Sequence, residues 1–177
     1  MIDRVIRAIK LDKTLFAEVA GNEKLLGESA IIVLITALFA GVGSFISAEK
    51  PVAAFLTQTA NSILFGWLLW SVIAFFIGKV FFDGRSSVEE MLRTLGYATA
   101  PRLLSLFAFV PCIGWLIALA GGILSLIAGI IAIRESMEFS TEKALVTAII
   151  GFILYLMANA AVRALFIGIS LPFRNIF

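Results

Sequence analysis

The chain has 177 residues, of which 61% are hydrophobic and only 15% charged, with a mean hydropathy of +1.06 and a formal charge of +2. Soluble domains run near half apolar and a quarter charged, so this composition excludes an ordinary soluble fold and predicts an all-α, polytopic transmembrane helical bundle. So small a net charge also argues against a nucleic-acid partner, because counterion-release binding needs a dense field of Lys and Arg.

The sequence contains no His, which removes the commonest general base and most transition-metal sites. Cys112 is the only cysteine, lies in an apolar turn and reads as a small buried hydrophobe. Asp83, Glu89 and Glu90 form the only carboxylate group with any look of acid–base or metal chemistry, and helix capping accounts for both glutamates. No cofactor, metal site or enzymatic activity is expected.

In residues 1–28, Ile2, Ile6, Ile9, Leu15, Phe16 and Val19 recur at three- and four-residue spacings among Arg4, Arg7, Lys10, Lys13 and Lys24. That pattern predicts an amphipathic interfacial helix, drawn to an anionic membrane face by its basic residues. Residues 29–177 form the transmembrane domain.

Its first span runs from Ala30 to Ile46, with Gly41 and Gly43 placed for close helix approach, and Pro51 opens a second helix reaching about Phe82. That helix exceeds the ~20 residues a bilayer requires, so it tilts or projects its first turns, with Gln58 and Asn61, toward the outer interface.

Asp83–Gly84 is a turn signal, and Ser86 and Ser87 each precede a Glu by three residues, which predicts a short helix from about Ser87 to Tyr97. Met91, Leu92 and Leu95 would bury, leaving Glu89, Glu90 and Arg93 in water. Pro101 breaks the helix before the chain re-enters the membrane.

Leu103 to Ile113 is too short to cross alone, so either its helix begins near Gly96 with a break at Pro101, or it is half of a re-entrant hairpin. Trp115 to Ile133 is a clear span with two small-residue rows, Gly114/Ala118/Gly122 and Gly121/Ser125/Gly129, and Ala144 to Ser170 is the last. In this arrangement of about five spans, eleven of the 14 basic residues lie on the side of the N-terminus, which places that end in the cytoplasm. Omitting the short segment hardly changes the imbalance.

Two groups of residues are candidates for function. Tyr155, Asn159 and Arg163 share one face of the final helix and, with Gln58 and Asn61, outline an intramembrane polar cluster. Interhelical hydrogen bonding with a snorkelling Arg163, contact with lipid headgroups, and a lipid, small-solute or ion pathway all fit that cluster. The second candidate is the polar stretch from Asp83 to Pro101, a surface for recruiting a protein partner.

Four segments in order, Asp83-Gly84, Gly96-Tyr97-Ala98-Thr99-Ala100-Pro101, Pro111-Cys112-Ile113-Gly114-Trp115 and Glu142-Lys143-Ala144-Leu145, resemble the Yip domain, the Ypt/Rab-interacting membrane protein family. The resemblance covers roughly Ala30 to the C-terminus and implies five spans with a cytoplasmic N-terminus. Eukaryotic members work in vesicle traffic between endoplasmic reticulum and Golgi and bind prenylated Rab-type GTPases. This chain differs in its very short N-terminal segment and in having no Tyr-Gly-Pro element near the first span, and it looks more like a prokaryotic member in a cell membrane. The resemblance carries over Gly96, Tyr97 and Pro101 as motif residues. With Asp83, Gly84 and Glu90 they form the expected partner-binding set. The partners implied are membrane lipids and a membrane or cytoplasmic protein, with a homo-oligomer left open.

Overall fold

The computed structural model describes the backbone of residues 1–109 and 113–170, and the side chains of these except 47, 108, 109 and 162–170. Cys112 and the Arg163 side chain lie outside the described residues. All regular elements among the described residues are helical. In chain order they are α1 (Ile2–Ile9), α2 (Lys13–Ala20), a 3-10 turn (Glu23–Leu25), α3 (Leu26–Ser47), α4 (Pro51–Ile63), a π-helical segment (Leu64–Leu69), α5 (Trp70–Phe82), α6 (Val88–Tyr97), a 3-10 helix (Ala100–Phe109), α7 (Gly114–Met137) and α8 (Thr141–Ser170).

Four helical stretches are long and apolar enough to cross a membrane: Glu23–Ile46, Pro51–Phe82, Gly114–Met137 and Thr141–Ala161. Leu34, Leu38, Phe76, Leu119, Ile123 and Ile149 are among many large apolar side chains that these helices leave exposed. Such surface is a liability in water and a match for lipid.

Beside these four lies a composite element, long enough for a further crossing and in keeping with about five spans. α6 and the following 3-10 helix run antiparallel to α7, from a Ser86–Ser136 hydroxyl pair (2.8 Å) at one end, through Ser125 donating to the Ala98 carbonyl (2.7 Å), to Gly121 packed on Pro101. Ten α-helical and ten 3-10 residues add up to roughly 35 Å of chain, enough for a bilayer core. Of the two arrangements open at Leu103–Ile113, the described residues follow the one in which a helix begins before Pro101 and breaks there. It begins at Val88, earlier than expected.

This changes the environment of α6. The expectation of a peripheral helix with Arg93 in water is overturned: every residue from Arg93 to Pro101 is buried, and Arg93 is 4% exposed. Its capping was legible, since the Ser87 hydroxyl accepts from the Glu90 backbone N–H at 3.1 Å, while Ser86 is engaged with Ser136 instead.

The N-terminal region also departs from one continuous surface helix. Leu11 adopts a left-handed φ of 60° and separates α1 from α2, whose N-cap Asp12 accepts from the Thr14 backbone N–H. Leu15, Phe16 and Val19 of α2 are fully buried in one cluster with Met91, Leu95, Tyr97, Ile133 and Met137. Burying each such side chain is worth about 1.5–3 kcal/mol relative to water; lipid would offer the same, so the choice of protein rests on close packing against α6 and α7. Ile2 and Ile6 of α1 stay exposed.

The long second helix is continuous from Pro51 to Phe82, with the π-helical segment at its middle. That wider turn directs Trp67 toward α6, where its indole N–H donates to the Leu92 carbonyl at 2.9 Å. Of the two glycines singled out in α3, Gly41 packs tightly on Thr59 and Phe55, whereas a side chain at Gly43 would meet nothing.

Candidate functional site

Two polar assemblies lie in different parts of the bundle. The first joins the N-terminal helices to α6. Glu28, on the first turn of α3, accepts the Tyr97 hydroxyl (2.5 Å) and a bidentate pair from Arg4 (3.0 and 2.7 Å), with the chain's amino terminus 3.6 Å away. Arg93 reaches across to the last turn of α2 and donates to the carbonyls of Val19 (3.3 Å) and Ala20 (2.7 Å). A helix end leaves the Ala20 carbonyl without an intrahelical partner, while that of Val19 also accepts from the Asn22 backbone N–H (3.3 Å); one buried cation on both fixes α2 on α6. Arg7 closes the corner between α1 and α2 through Asp12 and Glu18, each at 2.8 Å. The Thr14 hydroxyl, and then Arg7, hold the Asp12 carboxyl down at about 2.

Gly96 and Pro101 belong to this framework. A Cβ on Gly96 would lie 2.8 Å from the Cβ of fully buried Ser29, so α3 and α6 approach this closely only with glycine there. Likewise, a Cβ on Gly121 would meet the Pro101 carbonyl oxygen at 2.8 Å. Asp83 ends α5 in a left-handed conformation, and Gly84 packs beneath Met137 and Phe139. Thus Gly96, Tyr97 and Pro101 are interior, and only Asp83, Gly84 and Glu90 of the expected partner-binding set reach the surface, Gly84 and Glu90 only in part.

A family model described as the Yip1 domain matches residues 13–162. The chain belongs to the Yip1 domain family. No curated protein and no solved structure matches it. The matched region of the Yip1 domain takes in α2 as well as the spanning helices, which agrees with α2 being built into the core.

The second assembly of the Yip1 domain is a pair of cavities inside the bundle, of about 340 and 170 Å³, both lined by Ser62 and Arg102. The larger adds Thr36, Thr99 and Ser105 with Ala118 and Gly122 of α7; the smaller adds Gln58, Asn61, Trp70 and Tyr155. Gln58, Asn61 and Tyr155 therefore do line one space, as their positions in the sequence suggested. Asn159 points its amide to the Tyr155 carbonyl (3.5 Å) and does not line either cavity.

The cation of this space is Arg102, which sequence reasoning passed over. It adjoins Pro101 and reads as the end of a polar loop; the packing of Pro101 on Gly121 sets it on the flank of the bundle, where its side chain is exposed while lining both cavities. The row Gly114/Ala118/Gly122 was expected to pack a helix, yet Ala118 and Gly122 form cavity wall, while Gly121 and Ser125 of the other row make the tight contact with the composite element. Among the described residues no group of three His, Cys, Asp or Glu side chains could hold a metal ion.

Proposed function

We propose that this Yip1-domain protein is a non-enzymatic membrane-organising protein that recruits a partner at the bundle end carrying its N-terminus. What carries this reading is one exposed polar patch: Asp83 and Arg85 of the α5–α6 connection meet Glu138 and Lys143 of the α7–α8 turn around a groove of about 220 Å³, floored by Phe82 and Phe139. The Phe82 and Phe139 rings pack edge to face at 5.9 Å, and Lys143 lies over Phe139. The patch presents both charge signs on a rigid base, a form suited to protein recognition. Tyr97 and Gly96 serve it indirectly by fixing α6.

The N-terminal end is taken as cytoplasmic, because ten of the 14 basic residues lie on that side once Arg102 is placed within the bundle. The test is crosslinking and capture from native membranes, comparing wild type with an Asp83→Lys, Arg85→Glu double variant. A partner captured by the wild type and lost from the double variant is the expected outcome. Identical capture by both refutes the patch as a recruiting surface.

A second reading, passage of a lipid or small solute through the bundle, is favoured by the Arg102-lined cavities. It predicts that Arg102→Gln abolishes flux of such a species in reconstituted vesicles.

A further inference from the structure

The Arg102 guanidinium has no carboxylate or hydrogen-bond partner among the described residues, and the remaining residues contain no Asp or Glu. Its depth follows from Pro101, which packs on Gly121, seven residues inside the Gly114 end of α7. That is roughly 10 Å of helix rise, within the hydrocarbon layer or at its edge. The side chain is exposed on the flank of the bundle, and a cation at that depth costs a few kcal/mol unless it is paired, solvated or snorkels to the interface. Arg4, Arg7, Arg93 and Arg134 have acidic or carbonyl partners, and Arg85 is exposed in the polar connection after α5.

Donors that the fold leaves unused surround Arg102. Neither the Tyr155 hydroxyl nor the Asn61 amide has a side-chain hydrogen bond among the described residues, and both line the smaller cavity with Arg102. The π-helical segment contributes Gly66 to the same wall. A cation, an amide and a phenol around one space are acceptor-seeking, and the guanidinium fork matches the oxygens of a phosphate. The smaller cavity, about 170 Å³, lies below the ~300–1,000 Å³ common for whole small-ligand sites, a size for a headgroup phosphate and not for an entire ligand.

We propose that this space binds the phosphate oxyanion of an anionic lipid headgroup, with Arg102 as its counter-ion and Asn61 and Tyr155 as hydrogen-bond donors. The rim favours a lipid over a free anion. Leu126 of α7 and Phe152 of α8 line the smaller cavity and are themselves exposed on the apolar flank of the bundle, so acyl chains can lie along that flank while the headgroup enters. The site uses the cavity that also favours the passage reading, but it requires binding only. A binding measurement and a flux measurement therefore fail separately.

The experiment uses the full chain in phosphatidylcholine nanodiscs doped with phosphatidylglycerol, with lipid retained on extraction counted by native mass spectrometry. Wild type should retain phosphatidylglycerol over phosphatidylcholine, and Arg102→Gln should reduce that preference by roughly tenfold or more, as expected for loss of a charge-assisted contact. Gly129→Leu guards against misfolding of the arginine variant. A Cβ there meets only Leu95 Cδ2, at an ordinary 3.9 Å, so the side chain enters the smaller cavity and should weaken retention with Arg102 intact. Lys50→Gln, an exposed cation outside both cavities, should retain lipid as the wild type does. Equal retention by wild type, Arg102→Gln and Gly129→Leu overturns the site. Thermal protection by inorganic phosphate in pure phosphatidylcholine, lost in Arg102→Gln and without any phosphatidylglycerol preference, overturns the lipid source and assigns the oxyanion site to a free anion.

Discussion

Arg93 and Arg102 stand nine positions apart on one composite element and live under opposite rules. Arg93 is enclosed and spends its donors on the α2 carbonyls, next to a cluster in which Glu28, Arg4 and Tyr97 satisfy one another. Arg102 lines open space and has no such partner among the described residues. Where polar groups are mutually satisfied, they hold helices together and leave nothing for a ligand. Where the fold carries the cost of a charge without pairing it, the pairing is left to something that binds.

The largest expected effect tests the first half of that contrast. Arg93→Met removes the buried cation that ties the Val19 and Ala20 carbonyls to α6 and should lower stability by about 3 kcal/mol, whereas Arg102→Met, measured by chemical denaturation in the same neutral detergent, should cost less than about 1 kcal/mol. Equal losses would erase the distinction. Gly96→Ala should follow at about 2 kcal/mol, because its new methyl group meets the Ser29 Cβ, and a second change, Ser29→Gly, should recover most of the loss. A smaller loss, about 1 kcal/mol, is expected for Tyr97→Phe, since Glu28 keeps Arg4 when the hydroxyl is gone. If Tyr97→Phe also abolished partner capture without changing the thermal midpoint, Tyr97 would act in recruitment and not only in holding α6.

The sequence by itself determined the class of molecule and most of its crossings. Unbroken apolar runs such as Trp115 to Ile133 can satisfy their backbone in lipid only as helices, and no neighbour needs to be known to see it. The breaks were equally local: Pro51 opens α4, Ser87 caps α6 and Asp83 ends α5, each through chemistry confined to a few residues. The order of short segments around Gly96-Tyr97 and Pro101 was enough to suggest the family that the Yip1 domain match then established.

Tertiary structure alone decided which polar residues face water. Periodicity assigns Met91, Leu92 and Leu95 to one face of α6, but it cannot report that α2, α3 and α7 enclose the other faces as well, which is what buries Arg93 and Tyr97. The apolar stripe of α2 is the same whether it meets lipid or protein; only the matching surface on α6 and α7 selects protein. Arg102 was hidden for the same reason. A cation beside a proline looks like loop until a long-range contact, Pro101 on Gly121, carries it to membrane depth and sets it beside Asn61 and Tyr155.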